Sequence, residues 1–301
     1  MLSSVSTPGA PSALQKCIRS TSGLLAIIEC KYTRAHCPRS STIDALDLEW
    51  NDYARTAWFA SVVPMMEVTI SSQAVFLSNS LLPSSDGNHA ALLRTSSQDC
   101  DALIRRVIEH YQARGVPPCV AVSPSCLPSD LPDRLLAHGF IAHGDPEYWL
   151  VLADPTRLEN TRGPHNCTVQ RVGPHEVSAF CQVMETAFGM PEGASWVLEH
   201  VFGPINSLPG IYNYLATLDG QPAGCASLFT YNGFSAFGSG GTLPGMRSLA
   251  VGGALIEQVC RDWTAAGRPV MVAQTVLPKL ERVFNHIGFR RVFSRSYYIL
   301  E

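Results

Sequence analysis

The sequence predicts an α/β chain of two tandem domains, each a mixed, mostly antiparallel sheet flanked by helices. Three observations predict it: a faint internal repeat, matched helix-to-strand junctions, and two consecutive hairpin signals in the second half. The repeat aligns residues 107–115 (VIEHYQARG) with 259–267 (VCRDWTAAG), so that Tyr111 and Trp263 correspond, 152 positions apart. In each copy a Pro follows the closing Gly by two residues (Pro117, Pro269), and a short apolar run comes next, 119–122 or 270–273. A helix that ends at Gly and feeds a buried parallel strand has this pattern. Further on, Gly139-Phe140 corresponds to Gly288-Phe289, now 149 positions apart, and each pair is followed at equal spacing by aromatics, Tyr148-Trp149 and Tyr297-Tyr298. The three-residue change of offset fits a length difference in one strand-to-helix loop.

Composition narrows the function classes. The 301 residues are 46% hydrophobic and 16% charged, with 22 basic and 25 acidic side chains in no long run of either sign. No basic stripe exists to follow a phosphate backbone, so nucleic acid is not an expected partner. No apolar run approaches the roughly 18–20 residues that cross a bilayer, so no membrane partner is expected either. Ten cysteines are scattered without a CxxC pair and read as reduced thiols of a cytoplasmic protein. Cys119 with Cys126, or His165 with Cys167, lacks the second pair that a zinc site needs, and no metal is expected.

Residues 1–45 read as a leader, rich in Ser and Thr, with five Lys or Arg before residue 40 against Glu29 alone. A disordered extension, a mis-assigned start or an organellar transit peptide would share that composition. Residues 46–153 form the first predicted domain. The polar, Pro-bounded stretch 154–164 is a linker, and 165–301 is the second domain. The acidic pair Asp99 and Asp101 falls in the first half where the second has a loop of small residues, which makes the first half a structural or substrate-side lobe.

In the second half, residues 212–217 alternate and meet Asp219-Gly220, and the apolar run 223–229 leads to Asn232-Gly233. Both dipeptides are hairpin turn signals, so an antiparallel meander is expected. Its last strand carries three glycines, ends near Pro244, and gives way at about Gly252 to a helix whose Leu255, Ile256, Val259 and Trp263 share a face. Between strand and helix lies Arg247-Ser-Leu-Ala-Val-Gly252. Backbone N–H groups at a positive helix start, small residues at Ala250, Gly252 and Gly253, and the cation Arg247 together suit a diphosphate.

The pattern Thr-x-Pro-x-x-Arg-x-x-Ala-x-Gly over 242–252 resembles the acetyl-CoA signature of the GNAT superfamily of N-acetyltransferases. The segment Ile287-Gly288-Phe289 resembles the closing motif of that superfamily, and the resemblance spans about 167–301. It implies two tandem GNAT-like domains, the first degenerate, and acetyl-CoA as co-substrate. Leu243, Arg247, Leu249, Ala250, Val251, Gly252 and Gly253 would hold that co-substrate, with its thioester where two parallel strands splay apart. It also implies an acyltransferase acting on the amine of a small molecule or peptide, as a monomer or homodimer.

Members of the superfamily commonly carry a Tyr four residues before the Gly of the closing motif, and here that position is Phe284. Tyr297 or Tyr298 is a substitute acid, since neighbours on a strand face opposite ways. Glu185 is a candidate base, with Glu192 and His200 nearby. Phe188 and Trp196, in the same segment, read as core. The absence of an acid on 234–242, together with Phe284, motivates an alternative: a protein that binds coenzyme A without catalysis, as a sensor or partner.

Overall fold

The computed structural model describes residues 43–247 and 250–301. The leader therefore lies outside the described residues except for its last three, and Leu249 also lies outside them. Chain order gives α1 (Ala45–Ala60), β1 (Met66–Ile70), β2 (Val75–Asn79), β3 (His89–Ala91), α2 (Cys100–Gln112), β4 (Cys119–Val122), α3 (Leu131–Ala137) and β5 (Ile141–Leu152). After α4 (Pro155–Glu159), the second half runs β6 (Cys167–Arg171), α5 (Val177–Phe188), α6 (Ala194–Ile205), β7 (Ile211–Leu218), β8 (Gln221–Tyr231) and β9 (Phe234–Thr242). It ends with α7 (Val251–Ala265), β10 (Val270–Thr275), α8 (Pro278–His286) and β11 (Phe289–Ile299).

Local chemistry explains the boundaries. The Asp44 carboxylate accepts the N–H of Asp47 at 2.8 Å and caps α1. Asp219 and Gly220, then Asn232 and Gly233, all have positive φ, which makes both hairpin turns the type whose twist matches the flanking strands.

The eleven strands of the described residues join one sheet, in the order β1-β2-β3-β4-β11-β5-β10-β9-β8-β7-β6. The expectation of a mixed, mostly antiparallel sheet holds: β3 with β4 and β9 with β10 are its parallel neighbours. The division of labour differs from a simple tandem. β5, the last strand of the first half, lies beside β10 of the second, while β11 lies beside β4 of the first. The two exchanged strands pair with each other from Phe289 opposite Leu152 to Ile299 opposite Ile141. The stretch 154–164 is also more than a tether. Leu158 of α4 is fully buried, and Ala153 and Asp154 both donate their N–H to the Gly288 carbonyl.

The two faces of the sheet carry different cores. On one, Leu255, Val259 and Trp263 of α7 pack on Tyr214, Leu228, Met271 and Ala273. On the other, Phe180 of α5 and Phe202 of α6 meet Leu215, Cys225 and Phe59 of α1. Leu48 of α1 extends this face over Trp149, Val272 and Phe293.

At the crossing of the exchanged strands sits Arg295, 4% exposed. Its Nε and Nη2 lie 2.9 and 2.7 Å from Glu147 Oε2 on β5, and Nη1 donates to the Tyr53 hydroxyl of α1 at 2.8 Å. Tyr53 in turn meets His89 Nε2 at 2.9 Å, while His89 Nδ1 lies 2.7 Å from the Ser85 carbonyl. A carbonyl can only accept, so Nδ1 carries the proton and Nε2 accepts from Tyr53.

Burial and the neighbouring Arg295 push the His89 pKa down to about 3 from an ordinary 6.5. Unfolding therefore takes up a proton below pH 6.5. This contribution to stability is full above 6.5 and declines as the pH falls towards about 3. Urea denaturation between pH 7 and 4.5 is expected to give a slope of up to about 1.4 kcal/mol per pH unit from this residue, which His89→Gln removes.

Candidate functional site

β9 and β10 run parallel from Phe234 opposite Val270 to Phe237 opposite Ala273, and then part. Beyond that point Gln274 and Thr275 pair with β5, while residues 238–242 stay with β8 through a bulge. One extra residue on β9 makes the bulge, with Ser239 at φ +49 and its carbonyl accepting from Cys225 Sγ at 3.3 Å. The gap between the strands thus opens at a kinked, glycine-rich edge. The three glycines were noted in the sequence, but a bulge has no sequence signature of its own.

On the α7 face, the strand-to-helix loop lies at the end of β9. Ala250 caps α7 with φ +55, the left-handed region that a Gly would occupy without strain. A Cβ built on Gly252 meets nothing within 4 Å among the described residues. Gly253 differs: its Cβ would lie 2.5 Å from the Arg162 carbonyl, and a Cβ on Gly163 would overlap Ala254. The smallness of Gly253 and Ala254 is thus taken up by the connection 162–163 crossing the first turn of α7. The Leu243 N–H is spent on the Ala223 carbonyl, and the Val251 side chain is buried in the core. Arg247 donates to the Ala187 carbonyl at the end of α5, at 3.2 Å, where the helix dipole favours a cation. In the first half, Asp101 is paired instead with Arg134 and His138.

On the opposite face a cleft of about 310 Å³ opens over the same strands. Its floor includes Phe234, Val272 and Gln274, and α1 and β5 wall it with Asn51, Asp52, Arg55 and Glu147. The sequence reading missed these four. Leu48, Asn51, Asp52 and Arg55 recur at the i, i+3, i+4, i+7 spacing of one helix face, so the stripe was readable as a polar face turned inward.

The predicted acid and base candidates lie elsewhere. Tyr297 and Tyr298 are on β11, separated from β10 by β5, and neither lines the cleft. The Tyr297 hydroxyl accepts from Arg295 at 2.9 Å, and burial raises its pKa. Tyr298 packs against the core of the first half. Glu185 accepts the N–H of Ser195 at 2.5 Å, which caps α6 and holds its carboxyl below the usual range. His200 holds the Trp196 carbonyl, and Glu192 is exposed. Phe188 and Trp196 are 50% and 56% exposed, not core, because α5 and α6 turn those positions outward. Phe284 lies edge-on to Phe237, the last residue of β9 that pairs with β10, with ring centroids 5.8 Å apart. Among the described residues no three His, Cys, Asp or Glu are grouped to hold a metal, and no helix is long and apolar enough to cross a membrane.

The two glycines at the start of α7 are expected to respond oppositely to an added methyl group. Gly252→Ala should be neutral or stabilising by up to about 1 kcal/mol, since the position is open. Gly253→Ala should destabilise by about 1–3 kcal/mol through the clash with Arg162. Thermal denaturation of the two variants checks this.

No family model matches the sequence, and no curated protein matches it in sequence. Solved structures do match. A GCN5-related N-acetyltransferase from Kribbella flavida superposes with a TM-score of 0.63 at 14% identity, over 83% of this chain and 95% of that one. A GCN5-related N-acetyltransferase from Sphaerobacter thermophilus gives 0.56 at 16% identity, over 77% and 81%. A tandem GNAT protein from the clavulanic acid biosynthesis pathway gives 0.56 at 14% identity, over 85% and 96%. With its two parallel-strand junctions and its long shared sheet, the chain has the fold of the GNAT acetyltransferases in its tandem form.

Proposed function

We propose that the chain is an acyltransferase that moves an acetyl or other small acyl group from coenzyme A to an amine. On this reading the second half binds acetyl-CoA, and the first is a degenerate copy that shapes the acceptor side. One observation carries it: the gap between β9 and β10 has an open helix start on one face and a cleft on the other. A co-substrate held on the α7 side and an acceptor held on the α1 side could meet there without sharing a path.

The residues present suit a diphosphate at Ala250 and Gly252, where an exposed left-handed cap leads into a helix start with room around Gly252 among the described residues. Gly253 supports this loop through packing. When bound, acetyl-CoA supplies an acyl carbon activated as a thioester. The chain's own work is to hold an amine at the cleft, accept its proton and exclude water. The acids that line the cleft are Asp52 and Glu147, both from the first half.

Acetyl-CoA at a hundred times its Kd should add about 2.7 kcal/mol of stability, a shift of several degrees in Tm. Gly252→Asp should stay folded, because its side chain enters open space, yet lose the shift by charge repulsion. No shift in the wild type would overturn co-substrate binding. Free thiol released from acetyl-CoA across an amine panel reports transfer. A shift without release would favour binding alone, the reading to which Phe284, an apolar ring beside the gap, lends weight.

A further inference from the structure

The charged side chains that line the cleft are Asp52, Arg55 and Glu147, and all belong to the first half. Asp52 and Arg55 are ion-paired, and the unspent valences of Arg55 and Glu147 have opposite signs. Glu147 receives every partner on one oxygen: Arg295 Nε, Arg295 Nη2 and the Trp149 indole N–H, at 2.7–2.9 Å from Oε2. Its Oε1 has no partner among the described residues and is not sealed from solvent. Arg55 has a side chain only 12% exposed, and its Nη2 is bound to Asp52. Its Nε is buried without an acceptor, while Nη1 has no partner among the described residues and is not sealed off. Its guanidinium carbon lies 5.7 Å from the Phe229 ring centroid and 5.9 Å from that of Phe59, within cation–π range.

The sheet sets these two groups apart in a definite direction. Arg55 stands over Phe229 of β8, and Glu147 projects from β5. β9 and β10, and the gap between them, lie in between. A ligand that spans the cleft therefore meets the Arg55–Asp52 ion pair at the β8 end, with Arg55 Nη1 still unpaired among the described residues, and a carboxylate oxygen at the β5 end. Phe234 and Trp149 supply apolar walls along the way.

We propose that the acceptor is an aminocarboxylate, its carboxylate held by Arg55 and its ammonium by Glu147. This rests on the acyl-transfer reading above. Arg55 Nη1 keeps its hydrogens for a ligand carboxylate, a charge-assisted bond. A plain amine would leave an almost dehydrated guanidinium with part of its donor set unmet, and the cleft selects against it for that reason.

The test uses matched pairs on the full chain: L-phenylalanine against 2-phenylethylamine, L-lysine against 1,5-diaminopentane, and 5-aminopentanoate against pentylamine. Calorimetric titration and thiol release are followed for the wild type, Arg55→Gln and Arg55→Lys. The expected result is a preference of about tenfold or more for the carboxylate-bearing member, in Kd and in kcat/KM. That preference should vanish in Arg55→Gln and return in part in Arg55→Lys, with the Tm shift by acetyl-CoA kept in both. Equal use of both members, loss of both alike in Arg55→Gln, or no binding of any aminocarboxylate to the wild type would overturn the proposal. Binding of an aminocarboxylate without thiol release from any amine would overturn acyl transfer and leave carboxylate recognition standing.

Discussion

Arg295 carries a full charge in a nearly water-free position, and three separate parts of the chain converge on it. Glu147 reaches it from β5, Tyr53 from α1 and Tyr297 from its own strand. Removing one partner of a buried pair leaves an uncompensated charge and costs about 3–5 kcal/mol. The pairing also specifies register. A slip of one residue between β5 and β11 would send Arg295 and Glu147 to opposite faces, so the bond holds only when the exchanged strands are correctly aligned. Trp149 and Phe293, stacked on the same face with centroids 5.1 Å apart, give that alignment an apolar counterpart.

The exchange explains how the first half comes to border a cleft over strands of the second. Because β5 lies beside β10, Glu147 and Trp149 arrive next to the β9–β10 gap, and α1 follows across the same face. A first half with its own closed sheet would keep those residues away. Asp101, in the first turn of α2, is tied to Arg134 and His138, so its carboxylate is committed to contacts within the first half.

Much of the fold was legible because it is written locally. Asp219-Gly220 and Asn232-Gly233 need positive φ at both positions, and the strand at 119–122 appears in the structure with the bounds read from its apolar run. Strand exchange was not legible, since an internal repeat tells which segments are alike but not which sheet each one joins. The place of Tyr297 and Tyr298 was hidden for that reason: β5 stands between their strand and β10. Glu185 looked like a free helical acid, but a carboxylate near a following helix start is drawn to its N–H groups, and only the turn between α5 and α6 reveals that. Gly253 looked like part of the anion loop, and the segment that occupies its space lies some ninety residues earlier in the chain.

The topology also has a consequence for how the chain is made. During synthesis β4 emerges with an edge that no nearby strand fills, because its neighbour β11 is separated from it by the entire second half. The first half cannot become a finished, independently stable body in the order in which it leaves the ribosome. It must wait with exposed strand edges, the condition that invites chaperones and misassembly. For the same reason a protease cut between α4 and β6 should not release two free pieces, since each would still hold a strand of the other.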